Sequence, residues 1–422
     1  MGRSVLRPAA NPESAISRRV SAIAESATLA MDRRARELTA AGQPIISFAA
    51  GEPDFPTPPE VVEAAIRACR DPRMHRYTPT SGLPELRAAV AESERAKTGL
   101  QIEPANVLVT SGTKQAVAHA FTTLLDPGDE VLITSPFWVT FPEAVSLAGG
   151  VPVVVGADES RGFRVSVEDL ARHLTPRTKA LLFVSPSNPT GAVYSAAQMR
   201  EIGSWAEEQG LWIVSDEIYQ HFTYGDARFH SLPAVVPELA ERTIRVNGTS
   251  KSYAMTGWRV GWLIGPERVV AAAGNLQSHV CGNISNVSQA AAVAALQSGT
   301  ASVERMRQVF SRRREVMLAG LSRLPGFECP PPDGAFYAFP SVTGLLGRTI
   351  AGRRVDTSEE LAGLLLDEAR VAVVPGEAFG APGYLRFSYA LGDEPLQEGL
   401  DRVQRLLGAD SHSASGQPGL SG

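Results

Sequence analysis

Lys251 stands in the run Gly248-Thr-Ser-Lys-Ser-Tyr-Ala-Met-Thr-Gly-Trp-Arg259, among small and apolar residues and just after the apolar stretch Thr243–Asn247. A lysine is ordinarily a solvated surface charge. One desolvated by such neighbours loses its proton readily, and the free amine suits Schiff-base chemistry. Asp216 ends a second apolar run, Leu211-Trp-Ile-Val-Ser215, and is followed by Glu217-Ile-Tyr219. A lone Asp in that position is as readily a helix cap. In open α/β sheets, however, ligands bind beyond the carboxyl ends of the strands. An amine and an acid at neighbouring strand ends can face one ligand.

A third strand end offers a place for a phosphate. Ser111-Gly-Thr-Lys114 follows Val107–Thr110 and opens a helix expected over Gln115–Leu124. Backbone N–H groups at a helix start bind phosphate, although Ser and Thr also cap helices that hold no ligand. Arg259 can add charge to the same phosphate. Ser185-Pro-Ser-Asn-Pro-Thr-Gly191 holds Asn188 between two prolines after the run ending at Val184. Ser135-Pro-Phe-Trp138 follows another strand end, where a Trp serves either the core or a ligand platform. A lysine for a Schiff base, an acid for a pyridinium nitrogen and a helix start for a phosphate together match the needs of pyridoxal 5'-phosphate (PLP).

The elements that must position these residues are short apolar runs alternating with helical patterns. The runs are Val107–Thr110, Glu130–Thr134, Val151–Val155, Lys179–Val184, Leu211–Ser215, Thr243–Asn247 and Arg259–Ile264. Most are continuously apolar, which predicts strands covered on both faces in a mostly parallel sheet. Ser195–Gln209, opening on a Ser cap and closing before Gly210, reads as one of the intervening helices. The expected fold class is α/β, with a large seven-stranded sheet domain over 61–297. After Gln297 a long Arg-rich helix over 303–324 leads to shorter strand candidates at Ala335–Phe339, Val371–Val374 and Tyr384–Ser388, with helices near 357–369 and 393–407. That pattern predicts a smaller α+β domain over 298–408. Residues 1–60 are assigned to an N-terminal arm and part of the small domain. The Ser- and Gly-rich residues 409–422 are assigned to a disordered tail.

Composition excludes several classes. The net charge of -5 favours neither nucleic acid nor an anionic membrane. No run approaches the ~18 apolar residues of a membrane span, and no apolar stretch follows Arg3 and Arg7, so no signal peptide is expected. Cys69, Cys281 and Cys329 are scattered, which fits a reduced cytoplasmic setting. The seven histidines lack metal-site spacing, and neither a Gly-x-Ser-x-Gly elbow nor a Walker loop is present.

Taken in order, Ala50-Gly-Glu-Pro-Asp54, Tyr77-Thr-Pro, Ser111-Gly-Thr-Lys114, Ser135-Pro-Phe-Trp138, Ser187-Asn-Pro-Thr-Gly191, Ser215-Asp-Glu-Ile-Tyr219, Ser250–Arg259 and Tyr384-Leu-Arg-Phe-Ser388 resemble the class I PLP-dependent aminotransferases, in particular the bacterial aspartate aminotransferase branch. The resemblance runs from about Ser17 to Leu407. It implies a fold-type I homodimer. Lys251 would form the Schiff base and shuttle a proton, and Asp216 would hold the pyridine nitrogen protonated. Tyr219 and Asn188 would bond the ring oxygen, and Trp138 would stack on the ring. Ser111, Gly112, Thr113, Ser250 and Arg259 would surround the phosphate, with Tyr77 reaching it from a second subunit. Arg386 would fork onto the substrate α-carboxylate beside Gly51 and Asn188.

The same resemblance assigns acidic side chains to Lys114 and to the hydroxyls of Ser26-Ala-Thr28, which favours aspartate or glutamate with a 2-oxo acid partner. Val280-Cys-Gly282 departs from the small hydroxyl residues of the branch, so an aromatic, prephenate or specialised biosynthetic substrate stays open. A non-enzymatic regulator would carry a DNA-binding domain ahead of Ser17, where few residues stand, and would not need an intact Lys251.

Overall fold

The computed structural model describes residues 16–413, except positions 24 and 26. Seven strands build the main sheet: β1 (Val107–Thr110), β2 (Glu130–Ser135), β3 (Val151–Gly156), β4 (Thr178–Val184), β5 (Trp212–Asp216), β6 (Thr243–Gly248) and β7 (Gly261–Ile264). Their spatial order is β1-β7-β6-β5-β4-β2-β3. Neighbouring pairs from β6 through β3 are parallel, and only β7 runs against both of its neighbours. Successive side chains point to opposite faces of a strand. Val131 and Ile133 therefore pack beneath Phe121, Phe141 and Val145 on one side. Leu132, Leu181 and Ile213 pack against Met199, Ile202 and Trp205 on the other. The helix Ala196–Glu208 is closed at its start by a reciprocal capping box between Ser195 and Gln198. The expectation of burial on both faces fails at β3. It is an edge strand, and its Val151 and Val154 are exposed.

A three-stranded antiparallel sheet joins Val374–Pro375, Leu385–Ser388 and Tyr337–Ala338. The single strand expected at Val371–Val374 is split, because Val371–Ala372 instead pairs in parallel with Ile46–Ser47. That pairing brings the N-terminal segment onto the C-terminal part of the chain. A division at residue 60 falls inside the helix Pro59–Arg70, which packs on the helix Asn286–Gln297. The last helix, Asp393–Ser413, runs past the point where the tail was expected to begin. Residues 414–422 of that tail lie outside the described residues.

Candidate active site

The carboxyl ends of β1, β2, β4, β5 and β6 converge on a cavity of roughly 410 Å³. The strand ends and the segments that follow them contribute Thr113, Lys114, Trp138, Asn188, Asp216, Tyr219, Ser250, Lys251 and Arg259 to its lining. The distant segments contribute Thr28, Gly51 and Arg386. Ser111 and Gly112 form the turn just behind the lining, where the Ser111 carbonyl accepts from Arg259 Nη2 at 3.2 Å. Tyr77 is 98% exposed and does not line the cavity of its own chain. Ser26 lies outside the described residues.

Gly112 shows why the turn after β1 needs glycine. Its φ is +75°, and a Cβ there would come within 2.3 Å of Arg259 Nη2. Arg259 is thereby laid against the start of the helix Thr113–Leu124, which opens two residues earlier than the sequence predicts. Gly261 at the head of β7 is equally constrained, since a Cβ would stand 2.5 Å from the Thr113 nitrogen. The Thr113 hydroxyl is buried with no hydrogen-bond partner among the described residues.

Burial drives the acid and the amine in opposite directions. Asp216, 4% exposed, accepts a bond from the Ile218 N–H at 3.1 Å. Burial pushes its carboxyl up to about 7. Lys251 donates to the Gly51 carbonyl. Burial pulls its amine down to about 8, only partly offset by the Glu52 carboxylate. Values this close to physiological pH let each group pass between its charged and neutral forms, as a nucleophile or proton carrier must.

Arg386 is 1% exposed. Its Nη1 donates to Asn188 Oδ1 at 3.0 Å and its Nη2 to the Ala49 carbonyl at 2.8 Å. Its guanidinium lies 4.5 Å from the centre of the Tyr337 ring and 5.1 Å from that of Phe379. Its Nε is buried without a partner, and no carboxylate among the described residues forms an ion pair with it. Lys114 lies 5.0 Å above the Trp138 ring and also lacks an ion-pair partner among the described residues.

Sequence reasoning missed Tyr337, Glu52 and Thr256, all of which line the cavity. Tyr337 hydrogen-bonds Tyr219 at 2.9 Å between hydroxyls, and Thr256 donates to Glu52 at 2.6 Å. Tyr337 was hidden in an apolar strand pattern. Glu52 stood inside the Ala50–Asp54 motif, where only Gly51 had been singled out.

These features fit PLP as judged by the chain itself. A buried acid and a depressed lysine face one cavity. Among the described residues, the Thr113 hydroxyl beside Arg259 at a helix start has no partner, and the buried Arg386 guanidinium has no anion. The model for aminotransferase class I and II matches residues 43–403, and the chain belongs to that family of PLP-dependent transaminases. It is 59% identical to an aspartate aminotransferase of Streptomyces avermitilis, over 94% of this chain and 97% of that protein. It is 42% identical to a probable aspartate/prephenate aminotransferase of Aquifex aeolicus, over 92% of this chain and 98% of that protein. The aspartate aminotransferase of Thermus thermophilus solved with maleate superimposes with a TM-score of 0.87 at 41% identity, over 93% and 99% of the two chains.

Proposed function

We propose that the enzyme transfers an amino group from aspartate to 2-oxoglutarate through two half-reactions at this one cavity. PLP, when bound, supplies the electron sink that makes the substrate α-proton acidic. In this reading the unprotonated amine of Lys251 holds the cofactor and then moves that proton. Asp216 keeps the pyridine nitrogen protonated. Tyr219 and Asn188 hold the ring oxygen, and Trp138 covers the ring. Ser111, Gly112, Thr113, Ser250 and Arg259 bind the phosphate.

Arg386 carries the assignment of the substrate. A buried guanidinium without a counter-ion is costly unless a ligand supplies the charge. Its planar fork matches an α-carboxylate. Lys114, with Thr28 nearby in the lining, offers the second positive site that a dicarboxylate needs. Relatives named for both aspartate and prephenate support a second reading, in which a bulkier diacid uses the same two cations.

The proposed assembly is a homodimer in which Tyr77 serves the partner's phosphate. The support is local. Tyr77 is fully exposed, yet buried Asn286 binds the carbonyls of Met74 and Arg76 and accepts from Thr78, so the loop presents the ring rigidly. The free cysteines Cys69, Cys281 and Cys329 suit the cytoplasm as its compartment.

A single screen tests the function. PLP-loaded enzyme is offered each amino acid in turn, and loss of the Schiff-base absorbance is followed. Aspartate and glutamate should bleach it fastest, and Lys251→Ala should show neither the band nor turnover. A Lys251→Ala protein that still turned over would overturn the mechanism. An aromatic donor far faster than aspartate would overturn the substrate.

A further inference from the structure

Tyr337 touches both ends of the cavity. Its ring face lies 4.5 Å beneath the Arg386 guanidinium. Its hydroxyl lies 2.9 Å from that of Tyr219, and either can donate. The side chain is 1% exposed and packs edge-on against Tyr219 and at an angle against Phe336. Its hydroxyl also borders Gly51, where a Cβ would stand 3.3 Å away. A methyl group at position 51 would therefore press on this hydroxyl.

A tyrosine hydroxyl has one proton to give. Burial holds the Tyr219 hydroxyl well above the ordinary tyrosine range, with Tyr337 adding to the effect, so Tyr219 keeps its proton. When Tyr219 gives that proton to an oxygen of a ligand, it cannot also donate to Tyr337. The bond between the two then has one remaining direction, from Tyr337 to Tyr219. A donor that is itself receiving a hydrogen bond is a stronger donor, because the chain of bonds is polarised in one sense.

We propose that Tyr337 is a positioning residue that donates to Tyr219, strengthening its bond to the cofactor's ring oxygen, while its ring face seats Arg386. One side chain thereby joins the cofactor end of the site to the carboxylate end. The inference rests on the reading that this cavity holds PLP on Lys251.

The test is a spectral titration of PLP-loaded wild type, Tyr337→Phe, Tyr219→Phe and the double variant against pH. A hydrogen bond to the ring oxygen stabilises its anionic form and so favours the unprotonated Schiff base. Losing the bond moves the absorbance midpoint upward. Tyr337→Phe should raise it by about half a pH unit, about threefold in proton affinity. Tyr219→Phe should raise it further, and the double variant should match Tyr219→Phe alone, because Tyr337 acts through Tyr219. Maleate binding separates the second role. Tyr337→Phe keeps the ring, so Tyr337→Leu should bind maleate about 3- to 10-fold more weakly than Tyr337→Phe does. A Tyr337→Phe midpoint equal to that of wild type, or additive shifts in the double variant, would overturn the proposal. Tyr337→Phe removes one oxygen and retains the packing, so the titration decides even where Tyr337→Leu does not fold. A wild-type protein with no Schiff-base band would instead defeat the reading of the cavity.

Discussion

Two charged clusters lie back to back at the end of β5. Asp216 faces the cavity, while its neighbour Glu217 faces away and binds Arg245 Nε at 2.9 Å along with the hydroxyls of Ser215 and Ser231. Arg245 also bridges to Glu94, which receives Lys97 at 3.4 Å. Glu94, Arg245 and Glu217 are each almost fully buried, as are Asp216 and Arg386. Burial pushes Glu94 up, but Arg245 and Lys97 outweigh it and hold it at about 2. At Asp216 the Ile218 N–H and Lys251 oppose burial too weakly to outweigh it, and the carboxyl rises to about 7. Similar burial therefore gives opposite outcomes, and the presence of a partner decides which. The cluster around Arg245 pairs its charges within the chain, although Arg245 Nη1 has no hydrogen-bond partner among the described residues. In the cavity, Arg386 and Lys114 have no carboxylate partner among the described residues, and the proposed cofactor and diacid would supply the missing anions.

The sharpest way to break this contrast is to open the closed cluster. Arg245→Met should leave buried Glu217 without an ionic partner and Glu94 with Lys97 alone, and cost about 3–5 kcal/mol in denaturant unfolding. Arg386→Leu should behave the other way, with stability changed by less than about 1 kcal/mol. Its kcat/KM for aspartate should fall by about 2–4 kcal/mol, roughly 30- to 1000-fold. Equal losses of stability in the two variants would erase the distinction. Lys114→Met should cost about tenfold in kcat/KM for aspartate, through loss of one charge-assisted bond, and leave alanine nearly unaffected. The smallest effect concerns pH. Below about 8 the Lys251 amine is protonated and unreactive, and above it the amine is free. Capture of PLP by the cofactor-free protein should thus be half-maximal near pH 8, well below the value of about 10.4 for an ordinary lysine. Stopped-flow absorbance reads this directly, and a midpoint near 10 would contradict the burial of Lys251.

The seven strands were legible because each is a short apolar run between turn-forming residues, and their ends then pointed to Lys251, Asp216, Asn188 and the turn at Ser111–Lys114. Pairing partners were less legible. Nothing local in Val371–Val374 says that its first half turns to Ile46–Ser47 and its second half to Leu385–Arg386. Edge position was equally hidden, since the composition of β3 matches that of a buried strand. Tyr337 was unreadable for a different reason. Its role depends on which side chains meet it across about 50 to 120 residues of chain, and a strand pattern carries no record of that.

The pairing of Ile46–Ser47 with Val371–Ala372 also sets a schedule. The Ala49 and Gly51 carbonyls, which receive Arg386 and Lys251, belong to a segment held from behind by Ala372 and by the bond from the Ser388 N–H to the Phe48 carbonyl. That segment leaves the ribosome early, and its anchors leave it late. A nascent chain can have its main sheet in place, with Lys251 and Asp216 already at their strand ends, and still lack the wall that closes around them. That wall therefore closes only after residues 371–388 have been made and have met residues 46–51.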